Sequence, residues 1–290
     1  MFQIIGIVVV FVMVFGGFML AGGHFDVIIH AAPFELMIIG GSGVGALIIG
    51  NPLPVLKATA AAFGKVFSGP KWKAKDYEDL LTLLFLLTKT MKTKGVIALE
   101  AHIENPKESS FFTRYPKIMK DHFAIDFICD TLRMMTMNLE DPHQVEDTME
   151  KQLEKHHHEH AAPAHAIQNL ADGLPALGIV AAVLGIIKTM GAITEPPEYL
   201  GKLIGSALVG TFLGVFLAYG FVAPFASVLK QTFDEEHQFY KIIQAVLVAH
   251  LHGNAAQISV EIGRGEVPGS HQPSFAKMED ILGSIPPELG

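Results

Sequence analysis

Asp172–Gly185 reads DGLPALGIVAAVLG, and Gly210–Ala226 reads GTFLGVFLAYGFVAPFA. Both segments are long and apolar, and each contains a proline, Pro175 in the first and Pro224 in the second. A proline inside a helix removes a backbone donor and clashes with the preceding turn, so it kinks or loosens the helix. In lipid, the freed carbonyl groups need partners from neighbouring helices or from water. Two such segments predict a membrane assembly rather than a simple anchor.

The composition is that of a membrane protein, because half of the 290 residues are hydrophobic and only 17% are charged. A membrane helix needs about 20 apolar residues. Four segments reach or approach that length: Met1–Ala21, Phe34–Gly50, Ile167–Gly191 and Leu203–Leu229. Leu80–Leu87 (LLTLLFLL) is too short to span and has charged neighbours, so we interpret it as the buried face of a soluble helix.

The positions of lysine and arginine predict the orientation of these helices. Fifteen of the 21 basic residues lie between Leu53 and His165, and four more lie from Lys230 onward. The loops Gly22–Pro33 and Gly191–Gly201 contain none. We therefore expect both termini and the large middle segment to be cytoplasmic. The net charge of −8 argues against a nucleic-acid partner.

The sequence predicts an all-α integral membrane protein with four transmembrane helices and a large helical cytoplasmic domain between helices 2 and 3. The expected division places transmembrane helices 1 and 2 in residues 1–52 and the cytoplasmic helical domain in residues 53–165. Transmembrane helices 3 and 4 follow in residues 166–229, and a cytoplasmic tail occupies residues 230–290.

Helical periodicity is clear within the cytoplasmic parts, since apolar residues recur every three or four positions. This pattern covers Tyr77–Met91, Phe123–Leu139 and Val145–Leu153, with a break at Glu140-Asp141-Pro142. In the tail we expect one helix, roughly Phe233–His252, followed by a loosened chain rich in glycine and proline.

Away from their ends, the four apolar segments contain no Asp, Glu, Lys, Arg or His. Ionisable groups within the bilayer are the usual proton relays and ion sites. We therefore expect that the chain cannot conduct ions with its own carboxylates, and that a partner supplies the acid. The chain itself offers the hydroxyl groups of Ser206, Thr211 and Tyr219. The glycines between residues 201 and 220 are interpreted as helix-packing residues.

The cluster HHHEH at His156–His160 places its first and last histidines on one helix face, which is metal-ligand spacing. A structural zinc site needs four well-spaced ligands, so we interpret the cluster as a solvated, pH-sensitive helix and expect no metal site. The single cysteine, Cys129, excludes an internal disulfide and is expected to be a reduced packing residue. No nucleophile–base pattern or phosphate-binding glycine loop is present, so we expect no catalytic residues, no enzymatic activity and no cofactor.

Charged residues of both signs recur in the middle segment, at Lys89, Lys92, Lys94, Glu100, Glu104, Arg114, Lys117 and Lys120. A mixed charged face is usually a solvated surface, and the spacing alone favours that interpretation. The alternative is an electrostatic docking surface for a cytoplasmic partner.

The chain resembles the MotA family of flagellar stator subunits over nearly its full length. Besides the two proline segments, the resemblance is carried by GVIALEAHIENPKESSFF (Gly95–Phe112), DFICDTLRMM (Asp126–Met135), and VEIGR (Val260–Arg264) near PSF (Pro273–Phe275). It implies a ring of five copies around a MotB dimer in the lipid bilayer of the bacterial inner membrane. MotB would supply the proton-binding aspartate, and the cytoplasmic domain would push on the rotor protein FliG.

The resemblance also implies roles for residues of the membrane helices. Pro175 and Pro224 match the family's two functional prolines, and Thr211 matches a threonine that lines the ion pathway, to which we also assign Tyr219. Sodium-driven relatives carry a threonine where this chain has Ala182. A hard cation needs several oxygen ligands, which alanine cannot supply. The expected coupling ion is therefore the proton.

On the cytoplasmic side, Glu100 matches the acidic residue of the family's FliG-facing surface. Lys92 stands where the family commonly has arginine. Lysine keeps the charge but lacks the planar fork of arginine, so Lys89 and Lys94 are expected to contribute to rotor docking.

Three alternatives remain open from the sequence. The first is a proton-driven energiser of outer-membrane processes of the ExbB and TolQ kind, although these usually have three membrane helices. The second is a sodium-driven stator. The third is a structural membrane scaffold without ion flux, for which replacing Pro175 or Pro224 by alanine would be tolerated.

Overall fold

All secondary structure that the computed structural model describes, in residues 2–137 and 141–286, is helical. The α-helices are α1 (Phe2–Phe11), α2 (Gly17–Leu20), α3 (Asp26–Gly50), α4 (Leu53–Ala62), α5 (Lys65–Ser68), α6 (Ala74–Lys94), α7 (Glu100–Glu104), α8 (Pro116–Met119), α9 (His122–Thr136), α10 (Pro142–Gly191), α11 (Pro197–Leu217), α12 (Ala223–Leu251), α13 (Ala256–Gly265) and α14 (Phe275–Gly283). Two π-helical turns occupy Val12–Gly16 and Ala218–Val222, and two 3-10 turns occupy Val96–Leu99 and Phe112–Arg114.

The chain divides into two compact units. Unit 1 consists of Met1–Gly69 and His160–Thr232, and unit 2 consists of Pro70–Glu159 and Phe233–Gly290. The long helices α10 and α12 each contribute residues to both units.

Four helices of the described chain are long and apolar enough to cross a membrane: Phe2–Leu20, Asp26–Gly50, Pro142–Gly191 and Pro197–Leu251. The predicted all-α membrane fold with four spanning helices is thereby confirmed. Many large apolar side chains of unit 1 face outward, and Leu20 is 93% exposed. Because so much exposed apolar surface is unfavourable in water, the protein is membrane-bound.

The second spanning helix is longer than predicted, because α3 begins at Asp26 and contains Pro33 in its interior. Most of the predicted loop Gly22–Pro33 is therefore helical. The proline removes one backbone donor, but Val27 and Ile28 before it pack against the apolar cluster of unit 1. This packing keeps the first turns of α3 in the helix despite the proline.

The fourth spanning segment, predicted as Leu203–Leu229 with a disturbance at Pro224, lies within the long apolar helical stretch Pro197–Leu251. Helix α11 ends at Leu217, and the π-helical turn Ala218–Val222 separates it from α12. The turn ends two residues before Pro224, which cannot donate a backbone hydrogen bond and crowds the preceding turn. A π-helical turn accommodates this local mismatch without ending the helical path.

Unit 2 has its core around α6. Every residue of Leu80–Leu87 is buried, so this segment is covered on all sides rather than on one face. The single tryptophan, Trp72, is fully buried and stacks on Phe239 with ring centroids 3.8 Å apart. Tyr77 packs edge-on against the same phenylalanine.

The helices predicted for the cytoplasmic parts are largely confirmed. Tyr77–Met91 lies within α6, and Phe123–Leu139 is helical as far as Thr136, while Leu139 lies outside the described residues. Of the predicted break, Glu140 also lies outside them, and Pro142 begins α10. The segment Val145–Leu153 belongs to that same helix.

The prediction of a loose chain after His252 is wrong, because α13 and α14 form there. Their apolar residues Val260 and Met278 are buried in the core of unit 2. The hydroxyl oxygen of Ser274 caps α14 by accepting a hydrogen bond from the backbone N–H of Lys277. The stabilisation from core burial and capping exceeds the helix-breaking tendency of the nearby glycines and prolines.

Asp121 is the N-cap of α9 and ties three parts of unit 2 together. Its Oδ1 accepts a hydrogen bond from the backbone N–H of Ala124 at 2.8 Å. Its Oδ2 accepts from Lys71 Nζ at 2.6 Å and from the Tyr240 hydroxyl at 3.0 Å. Burial opposes ionisation of this carboxyl, but these donors prevail and hold its pKa below the usual value.

We expect Asp121→Asn to lower the unfolding free energy of unit 2 at pH 7 by about 1–2 kcal/mol, since asparagine keeps the cap but loses the charge. A lowered folded pKa stabilises the parent above the unfolded value of about 3.9, and this contribution disappears as the pH falls through the folded pKa. The parent should therefore lose more stability than Asp121→Asn on acidification. Denaturant titrations followed by Trp72 fluorescence measure this. Asp126→Asn, at an exposed position of α9, is the control; equal acid sensitivity of Asp121→Asn and parent would contradict the prediction.

Candidate functional site

Helices α10 and α11 approach each other closely at glycines within unit 1. A Cβ atom on Gly178 would lie 2.8 Å from the carbonyl oxygen of Gly210 and 3.0 Å from Gly214 Cα. A Cβ atom on Gly214 would lie 2.7 Å from the carbonyl oxygen of Leu174. The two backbones are therefore in direct contact, and no larger residue fits without separating them. Gly210 and Gly214 pack as predicted, whereas Gly201 has open space around it.

Three of the predicted pathway residues adjoin this glycine contact. Pro175 follows Leu174, whose carbonyl oxygen abuts Gly214, and Thr211 follows Gly210 in α11. The backbone nitrogen of Ala182 is 3.1 Å from the position of a Cβ atom on Gly210. Pro175, Ala182 and Thr211 are all partly buried.

Tyr219 and Pro224 have a different setting. Tyr219 is 64% exposed in the π-helical turn, and Pro224 is exposed in the first turn of α12. Both therefore present their side chains on the surface of unit 1.

The expectation that the spanning segments contain no interior acid is wrong. Glu35 is the tenth residue of α3 and is only 7% exposed. Its Oε2 lies 2.7 Å from the position of a Cβ atom on Gly210. Placing the start of the helix at Phe34 made Glu35 a terminal residue, whereas the true start at Asp26 puts it inside.

The sequence alone gives little signal for Glu35. In the structure the buried residues of α3 are Ala31, Glu35, Ile39 and Gly43, which recur every four residues and so share one helix face. The other faces of α3 are also apolar, with Phe34 and Met37 exposed, so the apolar pattern does not mark this face as the inner one.

The residues predicted to contact the rotor lie at the end of α6 and the start of α7 in unit 2. Lys92, Lys94 and Glu100 are exposed, and Lys89 is partly buried with its Nζ 5.8 Å from the ring centre of Phe85. None of the four belongs to an ion pair within the described part of the chain. The intervening turn needs Gly95, whose φ is +82°.

Two other members of the charged set have structural partners instead. Lys117 pairs with Asp76 and lies 5.5 Å from the ring centre of Trp72. Glu104 accepts a hydrogen bond from Arg133 at 2.9 Å. Lys117 and Glu104 therefore contribute to the packing of unit 2, whereas the charged residues predicted to contact the rotor form no ion pair in the described chain.

The histidine cluster is only partly solvated, contrary to prediction. The His156 ring stacks on Phe123 with centroids 3.6 Å apart, and His157 Nε2 lies 3.3 Å from a carboxylate oxygen of Asp234. His158 and His160 are exposed. Within residues 2–137 and 141–286, no group of three or more His, Cys, Asp or Glu residues could hold a metal ion.

Cys129 is a buried free thiol in α9, as predicted. Burial raises the pKa of this thiol to about 12, which keeps it protonated at neutral pH.

Comparison with known proteins assigns the family. The Motility protein A N-terminal model matches residues 4–95, and the MotA/TolQ/ExbB proton channel family model matches residues 120–241. Motility protein A of Salmonella typhimurium is 40% identical over 285 residues, which cover 98% of this chain and 96% of that relative. The chain belongs to the motility protein A family. The Escherichia coli motility protein A is 39% identical with the same coverage, and the Vibrio parahaemolyticus chemotaxis protein LafT is 36% identical over 97% of this chain and 98% of its own.

Solved structures agree with this membership of the motility protein A family. A chain of the Campylobacter jejuni MotAB structure superimposes with a TM-score of 0.71 at 18% identity, covering 94% of this chain and 98% of its own. A chain of the flagellar MotAB stator complex from Bacillus subtilis gives a TM-score of 0.67 at 25% identity, covering 89% and 92%. The interpretation of the sequence as a MotA-type flagellar stator subunit is confirmed, in preference to an ExbB-like energiser.

Proposed function

We propose that this chain forms, with a MotB-type partner, a proton channel that couples proton flow to torque on the rotor protein FliG. The observation that carries the proposal is the backbone contact of α10 and α11, which is adjoined by Pro175, Ala182 and Thr211. Pro175 interrupts α10 beside this glycine contact, so a change in the bend of α10 acts directly on the contact.

The proposed assembly is a ring of five copies around a MotB dimer in the bacterial inner membrane, with both termini in the cytoplasm. Helix α1 has no buried residue, and α3, α10 and α11 also expose large apolar side chains. Neighbouring copies, the partner helices and lipid would cover this surface. The lysine and arginine distribution supports the orientation.

The proposed proton path depends on the oxygen atoms that the partner and this chain supply. The partner's aspartate would bind the proton, and the Thr211 hydroxyl and water would line its path. Ala182 supplies no side-chain oxygen beside α11, so a sodium ion would lack ligands there. Tyr219, exposed in the turn before Pro224, would face the partner or a neighbouring copy.

Movement is proposed to arise at the two prolines. Pro175 lies inside α10, and Pro224 lies in the first turn of α12 after the π-helical turn; neither can donate a backbone hydrogen bond to the preceding turn. A change in the partner's charge would alter the hydration and bend of these helices. Both helices continue into unit 2, which also carries the proposed rotor-facing residues on α6 and α7. A change in the bend of α10 or α12 would therefore be transmitted to unit 2.

Pro175→Ala is expected to abolish swimming in a strain that lacks its own stators and carries this chain with a MotB-type partner. Alanine restores the backbone donor and straightens the helix, while co-purification with the partner should persist. Pro163→Ala, at the other interior proline of α10, is the matched control and should retain swimming. Normal swimming of Pro175→Ala would favour the scaffold alternative.

A charge-reversed variant with Lys92→Glu and Lys94→Glu is expected to slow rotation and leave partner binding unchanged. Each exposed charge contributes roughly 0.5–1 kcal/mol to docking. Reversing two of these charges should therefore weaken docking to the rotor measurably. Lys107→Glu reverses an exposed lysine elsewhere in unit 2 and should rotate like the parent. Tethered-cell speeds measure the difference, and equal speeds for the double and control variants would argue against this docking surface.

A further inference from the structure

The proposed function leaves the buried Glu35 of α3 unused. We propose that Glu35 is a proton-binding residue of this chain itself, additional to the partner's aspartate. The inference rests on the proposed function for its role in rotation, but not for the binding of the proton.

The carboxyl group of Glu35 lies where three helices meet. From α3, its Oε2 reaches 2.7 Å from the position of a Cβ atom on Gly210 of α11. From α10, Ala181 Cβ approaches that same position to 3.0 Å and the Ala182 nitrogen to 3.1 Å. The missing side chain at Gly210 therefore makes the space in which the carboxyl group fits.

The residues of α3 that flank Glu35 on its helix face are apolar and buried. Ala31 and Ile39, one turn before and one turn after Glu35, are 7% and 0% exposed. Gly43 continues the face and packs on Leu170 and Leu174 of α10. The polar end of Glu35 is therefore surrounded by small and aliphatic groups.

No partner for the carboxylate exists within the described part of the chain, where Glu35 Oε2 is buried without a hydrogen bond. The other titratable residues on the spanning parts of the helices packed around it are Asp26, His30, Asp172, Lys188, Glu198, Tyr199 and Lys202. None of them forms an ion pair or hydrogen bond with Glu35; Lys202 lies 3.8 Å from Glu198, and Asp172 accepts a bond from Gln168.

The physical consequence is a link between protonation and helix packing. An unpaired carboxylate in an apolar site costs far more free energy than a neutral carboxyl group. The closed contact of α3, α10 and α11 therefore holds the protonated form. Loss of the proton to water, giving carboxylate and hydronium, requires water to enter and the contact to loosen. Uptake of a proton from hydronium returns the neutral form and lets the helices close.

Gain and loss of this proton would act on the backbone contact between α10 and α11, beside which Pro175 and Thr211 lie. A proton at Glu35 would favour the tight backbone contact between α10 and α11, and its loss would favour a looser one. The chain would thus contribute one protonatable group per copy to the complex.

Infrared spectroscopy of the purified complex with its MotB-type partner tests proton binding directly. The parent should show a carbonyl band of buried protonated carboxyl groups, and Glu35→Gln should lose the component from Glu35 while any component from the partner's aspartate remains. Asp26→Asn, at the exposed start of the same helix, should retain the Glu35 component. An unchanged band in Glu35→Gln overturns the proposal. Should Glu35→Gln not assemble, Glu35→Asp must show a shifted band, and an unshifted one equally overturns it.

Rotation separates this inference from the proposed function. With the complex assembled, Glu35→Gln should rotate more slowly than the parent and with an altered dependence on external pH, while Asp26→Asn should match the parent. If Glu35→Gln rotates at the parent's speed and with the parent's pH dependence, a role of Glu35 in rotation is overturned, even if the infrared band is lost. If the parent itself fails to rotate motors, the proposed function fails, and the infrared result still decides proton binding by Glu35.

Discussion

Gly214→Ala is expected to prevent assembly of a working complex and to destabilise unit 1 by about 3 kcal/mol. The new methyl group would lie 2.7 Å from the Leu174 carbonyl oxygen and 2.8 Å from Gly178 Cα. Both obstacles are backbone atoms, so no side-chain rotation relieves them. The helices must separate, which also disturbs the packing of Leu174 and Leu213 in the apolar cluster.

Thermal unfolding in detergent, followed by loss of the monodisperse peak in size-exclusion chromatography, measures this effect. Gly201→Ala is the matched control because it lies in the same helix with nothing within 4 Å of its added Cβ. The control should match the parent or gain slightly, since alanine favours helix over glycine by about 1 kcal/mol. Equal behaviour of Gly214→Ala and Gly201→Ala would refute the tight contact.

Trp72→Ala is expected to lower the unfolding free energy of unit 2 by about 3–5 kcal/mol. The ring is 0% exposed and stacks on Phe239 at 3.8 Å. Lys71 Nζ lies 4.5 Å and Lys117 Nζ 5.5 Å from the ring centre. Removing the ring leaves a cavity and withdraws a cation–π partner from both lysines.

Pulse proteolysis in increasing urea measures this change without depending on tryptophan fluorescence. Trp72→Phe keeps an aromatic stack on Phe239 and should cost less, about 1–2 kcal/mol. Ile97→Ala removes a side chain that is 78% exposed and should be nearly neutral. A loss below about 1 kcal/mol for Trp72→Ala would show that the stack is not central to unit 2.

The sequence predicts the helices whose apolar pattern is strong. It does not predict the places where tertiary packing keeps the chain helical despite a proline or glycine. Pro33 ended the predicted second span, but contacts of Val27 and Ile28 carry α3 through it. Pro224 correctly marked an irregularity, yet the form it takes, a π-helical turn, depends on the balance of hydrogen bonds around it. The α13 helix was missed because burial of Val260 outweighs the glycines around it.

The candidate site was predictable in part. The family resemblance pointed to Pro175, Ala182 and Thr211, and the structure places these residues beside the α10–α11 contact. Glu35 was missed because its burial depends on where α3 begins. Among the charged residues of unit 2, only the structure separates Lys117, which pairs with Asp76, from Lys92, which forms no ion pair in the described chain. Such pairing joins residues distant in sequence, so periodicity cannot reveal it.

The proposed role as a proton-driven stator subunit is tested most directly by the rotation of tethered cells that lack their own stators. The cells would carry this chain with a MotB-type partner and be observed with sodium, without sodium, and after addition of a protonophore. We expect rotation to continue without sodium and to stop with the protonophore. Rotation that follows sodium would contradict the role given to Ala182, and no rotation despite partner binding in the membrane would contradict the stator function itself.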